Sequence, residues 1–253
     1  MPELTNWLFV FLRAGGFLVL FPVFSATNFP VTVRVALGAL LALFIAQVLP
    51  PTPLAHADLW GLVGGMSVEV AVGVLFGFVA RSLWYALDIA GAIIGQEVGL
   101  ATPASLNPLS SGPTTEAATL LHYLAAMLFL SLNLHHELLA AFARSYELMP
   151  VGGAHLREPL LLDVAGRTAR LFLFALQMSA PIIAVSFLIL LVFSVLGRAV
   201  PQMNVFFESF AMRILAGLAG LGLTLHLMAQ HIANFLGRLP DDVLRTAQLL
   251  GWR

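Results

Sequence analysis

Apolar residues fill most of the chain in long runs, and the sparse polar positions mark where those runs stop. Trp7 to Phe24 is apolar apart from Arg13, with Gly15-Gly16 at its middle and Phe21-Pro22 ending or bending it. Pro22 to Pro30 reads as a short connection, with Arg34 following it. Val35 to Leu49 is a second apolar run, shorter than the ~20 residues that a perpendicular membrane crossing requires. Pro50-Pro51-Thr52-Pro53 stops it, because proline lacks an N–H and drives the residue before it out of helical geometry. Leu59 to Ala80 predicts a helix with Glu69 near its middle; Arg81 marks its end, and Ser82 to Leu100 predicts another, carrying Asp88 and Glu97. Glu116 to about Leu134 reads as helix, Asn133 to Glu137 as a polar patch, and Leu138 to Met149 as an amphipathic helix before a Gly- and Pro-containing turn. Leu160 to Arg170 places Asp163, Arg167 and Arg170 at helical spacing. Leu171 to Gly197 carries no charge and is the strongest spanning candidate, with Pro181 expected to kink it. Val205 to Leu236 resumes, and Pro240-Asp241-Asp242 starts a helix in the tail. The expected fold is all-α, six to eight helical pieces forming one membrane-embedded unit.

Two kinds of segment depart from this pattern. Gly91, Gly95 and Gly99 recur every fourth residue, and Gly73 with Gly77 does the same, so each set lines one helix face. Faces without side chains let a second backbone approach closely, which is how helices associate inside a bilayer. Beyond Gly99 the character changes: Leu106-Asn107-Pro108-Leu109-Ser110-Ser111-Gly112-Pro113 lies in a proline-broken, uncharged polar stretch that is loop. Such a loop between apolar helices either lines or blocks an aqueous path, or is a surface connection; composition alone favours the second.

Composition narrows the class. The 253 residues are 60% hydrophobic and 10% charged, with mean hydropathy +0.94, against roughly 25% charged in an ordinary soluble domain. This is an integral membrane protein or a subunit buried in a larger assembly. The formal net charge of −1 leaves no basic surface for phosphate backbones, so nucleic acid is not a partner. All twelve cations are Arg and there is no Cys, hence no disulfide framework and no thiolate metal site. Met1-Pro2-Glu3 lacks the basic start of a cleavable signal.

Chemistry-bearing motifs are few. His136-Glu137 begins like a zinc helix motif, but Ala140 stands where the second ligand belongs. There is no G-x-S-x-G elbow and no phosphate-binding loop. No catalytic residue, cofactor or metal is expected. A charge at mid-bilayer costs about 2.5–3.5 kcal/mol on insertion scales. Glu69, Asp88, Glu97 and Glu208 therefore either form an ion path or pair with Arg13, Arg34, Arg81, Arg198 or Arg213, the structural pairing being favoured. The most specific string is Arg198-Ala199-Val200-Pro201-Gln202-Met203-Asn204-Val205-Phe206, where a spanning helix breaks at Pro201 and exposes the Gln202 and Asn204 amides. Those amides require protein or water partners, so the break is an inter-helix contact or a pore-facing turn.

At this string the sequence resembles the FliR family of the flagellar export gate, whose injectisome counterpart is SctT. The family's R-x-x-P-Q-x-N-x-F pattern matches Arg198, Pro201, Gln202, Asn204 and Phe206. Phe21-Pro22, Glu69 with Gly73 and Gly77, the helix from Ala90 through Gly99, Asn107-Pro108 and Phe129 to His136 fit in the same order, over nearly the whole length. Beyond Phe206 the chain departs: Glu208 is an added charge, and Arg213 stands where Lys is common.

The resemblance implies a FliP-like part (about 1–165) and a FliQ-like hairpin (about 166–253). It implies one copy joined to several FliP-type and FliQ-type subunits in a cone-shaped gate, with an FlhB-type export-switch protein as a further partner. It further implies a pore for unfolded proteins, plugged by the loop from Leu106 to Thr119, at the centre of the basal body in the bacterial inner membrane. The alternative is a small secondary transporter working through the buried carboxylates.

Overall fold

In the computed structural model, residues 2–22, 30–50, 58–100, 115–155, 157–200, 202 and 204–251 are described. They form eight helices: α1 (Pro2–Leu20), α2 (Val31–Val48), α3 (Leu59–Val98), α4 (Glu116–Ser131), α5 (Leu134–Leu148), α6 (Glu158–Ala199), α7 (Val205–Leu236) and α8 (Leu239–Gly251). No strand occurs among the described residues. Val31–Val48, Leu59–Val98, Glu158–Ala199 and Phe207–Gly251 are long and apolar enough to cross a membrane, and α4 with α5 qualifies as one broken span.

Two boundaries differ from the sequence expectation. Arg81 does not end a helix: α3 runs unbroken from Leu59 to Val98. Nothing between Ala80 and Leu83 removes an N–H, and Ser82 is buried there. Likewise Leu160–Arg170 and Leu171–Gly197 belong to the single helix α6, which continues through Pro181. The polar patch at 133–137 is mostly helical too. Asn133 adopts the left-handed conformation (φ 55°), tolerable for Asn, and α5 starts at the next residue. Asp58 starts α3 by accepting the Leu59 N–H at 2.8 Å, as an acid at a helix N-terminus should.

The chain divides into two compact units. The first holds residues 1–82, 129–167 and 236–253. In it α1 pairs with α2, closed by Asn6 Nδ2 donating to the Pro50 carbonyl at 2.9 Å and Trp7 Nε1 to the Ala39 carbonyl at 3.3 Å. Its core is aromatic. Phe17 stacks on Phe142 with ring centroids 4.8 Å apart and meets Phe21 edge-on at 5.1 Å, and Phe21 meets Phe129 at 5.9 Å. The tail helix α8 is amphipathic, burying Leu239, Val243, Ala247 and Leu250, and packs on α5. An ion network adds to this: Arg167 reaches Asp163 at 2.5 Å and Asp242 at 2.6 Å, while Arg245 Nε lies 3.2 Å from Asp163.

The second unit holds residues 83–128 and 168–235. Leu83, Leu87, Ile94, Leu121, Phe174, Met178, Ile182 and Ile232 form its core. Large apolar side chains on its α6 and α7 segments stay outside that core, among them Leu188, Leu191, Val195, Leu215, Leu223 and Leu227.

The α1–α3 contact in the first unit depends on missing side chains. A Cβ at Gly73 would overlap the Arg13 carbonyl, and one at Gly77 would come within 2.8 Å of the Leu20 Cβ. Gly64, on the same helix, faces open space. Gly73→Ala should therefore destabilise the protein by about 2 kcal/mol, as overpacking does, and Gly64→Ala should not. Thermal unfolding in detergent with an intrinsic fluorescence readout checks this pair of variants.

Candidate functional site: a buried ion pair and a glycine-anchored loop

The first site lies in the first unit, where α1, α3 and the segment after α5 meet. Arg13 and Glu69 are both fully buried. The guanidinium pairs bidentately with the carboxylate, Nε to Oε2 and Nη2 to Oε1, the latter at 2.9 Å. Arg13 Nη1 also donates to the Met149 carbonyl at 3.1 Å, and Glu69 Oε1 accepts the Gly152 N–H at 2.9 Å. The Tyr146 ring lies under the guanidinium, with 4.1 Å from Cζ to the centroid, a cation–π contact. Each charge thus has several partners, as a dehydrated ion must. Gly73, one turn beyond Glu69, brings the α1 backbone in closely enough for the pair to form. Gly152 sits at φ 74°, a conformation that only glycine adopts without strain and that aims its N–H at Glu69.

The second site lies in the second unit, at the two ends of the loop 101–114. Gly99 ends α3 at φ 82°. Its N–H donates to the Gln96 carbonyl at 3.3 Å and the Leu100 N–H to the Gly95 carbonyl at 2.8 Å, a Schellman closure that satisfies the last carbonyls of the helix. At the other end Thr115 caps α4: its Oγ1 accepts the Ala118 N–H at 3.2 Å and donates to the Gly91 carbonyl at 2.8 Å. A Cβ at Gly91 would overlap Ala118, and one at Gly95 would stand 3.1 Å from Thr115. The glycine face is therefore covered by the start of α4, and both loop ends are tied to the turn around Gly95. Gly99 lies one residue past the helix, against the Phe210 ring of α7. Further along the same α3–α4 contact, His122 Nε2 lies 3.1 Å from Asp88 Oδ1.

The remaining expected residues are not gathered into either site. Leu106, Asn107, Pro108, Leu109, Ser110, Ser111, Gly112 and Pro113 lie outside the described residues, as does Pro201. Arg198 is exposed at the end of α6, Gln202 and Asn204 are exposed in the following turn, and Phe206 is in the first turn of α7. The Asn204 carbonyl accepts the Glu208 N–H at 3.2 Å. Glu208 is exposed in the first turn of α7, where a negative charge suits the helix dipole. Glu97 is half-buried, and it is its backbone carbonyl that takes the Ser186 hydroxyl at 3.3 Å. Arg34 and Arg213 are half-buried, each with a buried Nε lacking a hydrogen-bond partner among the described residues. Of the acids expected to pair with Arg, Glu69 does so, with Arg13. Sequence reasoning missed Tyr146, Gly152 and Thr115. Thr115 carried a signal, as a Thr directly before the Glu that opens a helix.

Residues 4–239 match the family described as Bacterial export proteins, family 1. The chain belongs to that family. A flagellar biosynthetic protein FliR of Caulobacter vibrioides is 30% identical over 218 residues, covering 85% of this chain and 86% of its own. FliR of Pectobacterium carotovorum is 28% identical over 253 residues, covering 96% and 95%. The Yop proteins translocation protein T of Yersinia pestis is 28% identical over 190 residues, covering 74% and 72%. The family thus spans flagellar and type III secretion systems, and its apolar helices make this member an inner-membrane protein.

Breaking the buried pair on one side leaves a stranded charge, so Arg13→Met should cost about 3–5 kcal/mol. The double variant Arg13→Met with Glu69→Leu should cost less than Arg13→Met alone, because no ion is left behind. A double-mutant cycle on thermal unfolding in detergent measures the difference. In the second unit, Thr115→Val should lose about 1 kcal/mol through the missing cap, and Thr115→Ser should keep it.

Proposed function

We propose that this chain is a single-copy structural subunit of the flagellar protein-export gate. It assembles with several copies of FliP-type and FliQ-type membrane subunits and contacts an FlhB-type switch protein. On this reading about 1–165 takes the FliP-like role and about 166–253 the FliQ-like role, at the centre of the basal body with part of the gate on the periplasmic side. The assembled gate conducts unfolded proteins. The chain is no enzyme, and the energy comes from other components.

Family membership over residues 4–239 supports the export role. The observation that carries the gate reading is the anchoring of the loop 101–114. Thr115 and Leu100 are both tied to the turn around Gly95, so the polar excursion leaves and returns at one point. A stretch with no charge along its length is displaced without breaking an ion pair. That is the requirement for a plug. The exposed apolar surface of α6 and α7 supports the partner requirement, as does the exposed Gln202 and Asn204 turn between two apolar helices. The transporter alternative gains nothing from Glu69, whose carboxylate is occupied by Arg13 and the Gly152 N–H.

Deleting Asn107 to Gly112 leaves both anchors in place. In cells carrying the complete gate, ion leakage across the inner membrane should rise while assembly stays normal. Unchanged permeability in a normally assembled gate contradicts the plug.

A further inference from the structure

The first unit holds a cavity of about 890 Å³ between α8 and the segment following α5. Its volume falls within the ~300–1,000 Å³ usual for small-molecule sites. Arg245 and Gln248 from α8, and His155 from the facing segment, supply its polar side chains. No carboxylate side chain is among its described lining residues. The wall is fixed: the Gly152 N–H is held by Glu69 at 2.9 Å, the Gly153 N–H by the Pro150 carbonyl at 2.9 Å, and the His155 N–H by the Leu250 carbonyl at 3.0 Å. Arg245 is steered through its Nε, 3.2 Å from Asp163, while its side chain remains 65% exposed.

Beside this cavity is a second, apolar slot of about 110 Å³, lined by Val68, Ala71, Val72 and Leu75 of α3 with Ala154 and Leu250. Ala154 lies between Gly153 and His155, and Leu250 between Leu249 and Gly251, all four lining the larger cavity. The two spaces therefore share a wall. The α3 face that forms the slot belongs to a stretch able to cross a membrane.

We infer that the paired spaces bind one anionic phospholipid, its phosphate at Arg245, Gln248 and His155 and its glycerol-proximal chain in the slot along α3. A guanidinium with a side-chain amide and an imidazole beside it suits a phosphodiester. The apolar slot against a spanning helix discriminates a lipid from free phosphate, which has no use for it. The site lies within one unit and does not depend on the pore.

The test uses the full chain purified from membranes, delipidated, and offered phosphatidylglycerol and phosphatidylcholine at equal mole fraction, with retained lipid read by native mass spectrometry. The wild type should retain phosphatidylglycerol preferentially. Arg245→Gln and Gln248→Glu should each weaken that retention by about fivefold, the effect of one charge near an anionic lipid. Arg245→Lys should keep most of it. Gln248 is exposed and takes no part in the Arg245–Asp163 contact, so Gln248→Glu tests the site even where loss of that contact harms folding. Equal retention of both lipids, or undiminished retention in a folded Gln248→Glu variant, overturns the proposal. So does inorganic phosphate alone raising the melting temperature as much as phosphatidylglycerol, which would make the ligand a soluble anion.

Discussion

The first unit depends on one contact: the ion pair of Arg13 and Glu69, closed away from water. Burying a charge is unfavourable unless it is fully partnered, and a half-built pair is worse than none. This pair therefore constrains everything around it. α1 must lie against α3, which Gly73 permits by having no side chain where the Arg13 carbonyl passes. The chain after α5 must turn through Pro150 to Gly153 so that the Met149 carbonyl and the Gly152 N–H reach the charges. Tyr146 must offer its ring to the guanidinium. The contact is specific because hydrophobic packing alone would allow the helices to slide.

The second unit is organised by a different constraint, the closeness of two backbones. Gly91 and Gly95 admit the start of α4, and the Thr115 hydroxyl accepts the Ala118 N–H of that helix while donating to the Gly91 carbonyl. The result is a rigid base for a proline-broken loop. Elsewhere in this unit the helices are poorly covered, and the long apolar side chains of α6 and α7 face outward. Lipid can cover a purely apolar face. It does not suit exposed Arg198, Glu208, Gln202 and Asn204 crowded around one turn. Protein partners, with their own amides and charges, fit that mixture better than acyl chains.

Much of this was legible in the sequence. Apolar runs located the helices, and four-residue glycine spacing marked the close contacts at Gly73, Gly91 and Gly95. The motif ending in Phe206, with the ordered residues before it, pointed to the family. What was illegible had physical causes. Arg81 looked like a terminus because a charge between apolar runs resembles a boundary, yet Arg is a good helix former and lacks any breaking effect. The partner of Glu69 was one of several cations because pairing over 56 positions is a tertiary fact that no local pattern encodes. Gly152 and Met149 contribute backbone groups to the pair, and backbone groups carry no sequence signal. His122 beside Asp88 was missed because a lone His on an apolar helix reads as an ordinary core residue.

We infer that this chain completes its surface only within a hetero-assembly of small helical membrane proteins. Native mass spectrometry of the tagged chain, co-expressed with its neighbouring operon genes, measures that most directly. The expected result is a complex containing one copy of this chain and several copies each of two smaller membrane proteins. A lone monomer or simple homodimer that takes up neither neighbour on co-expression would contradict it.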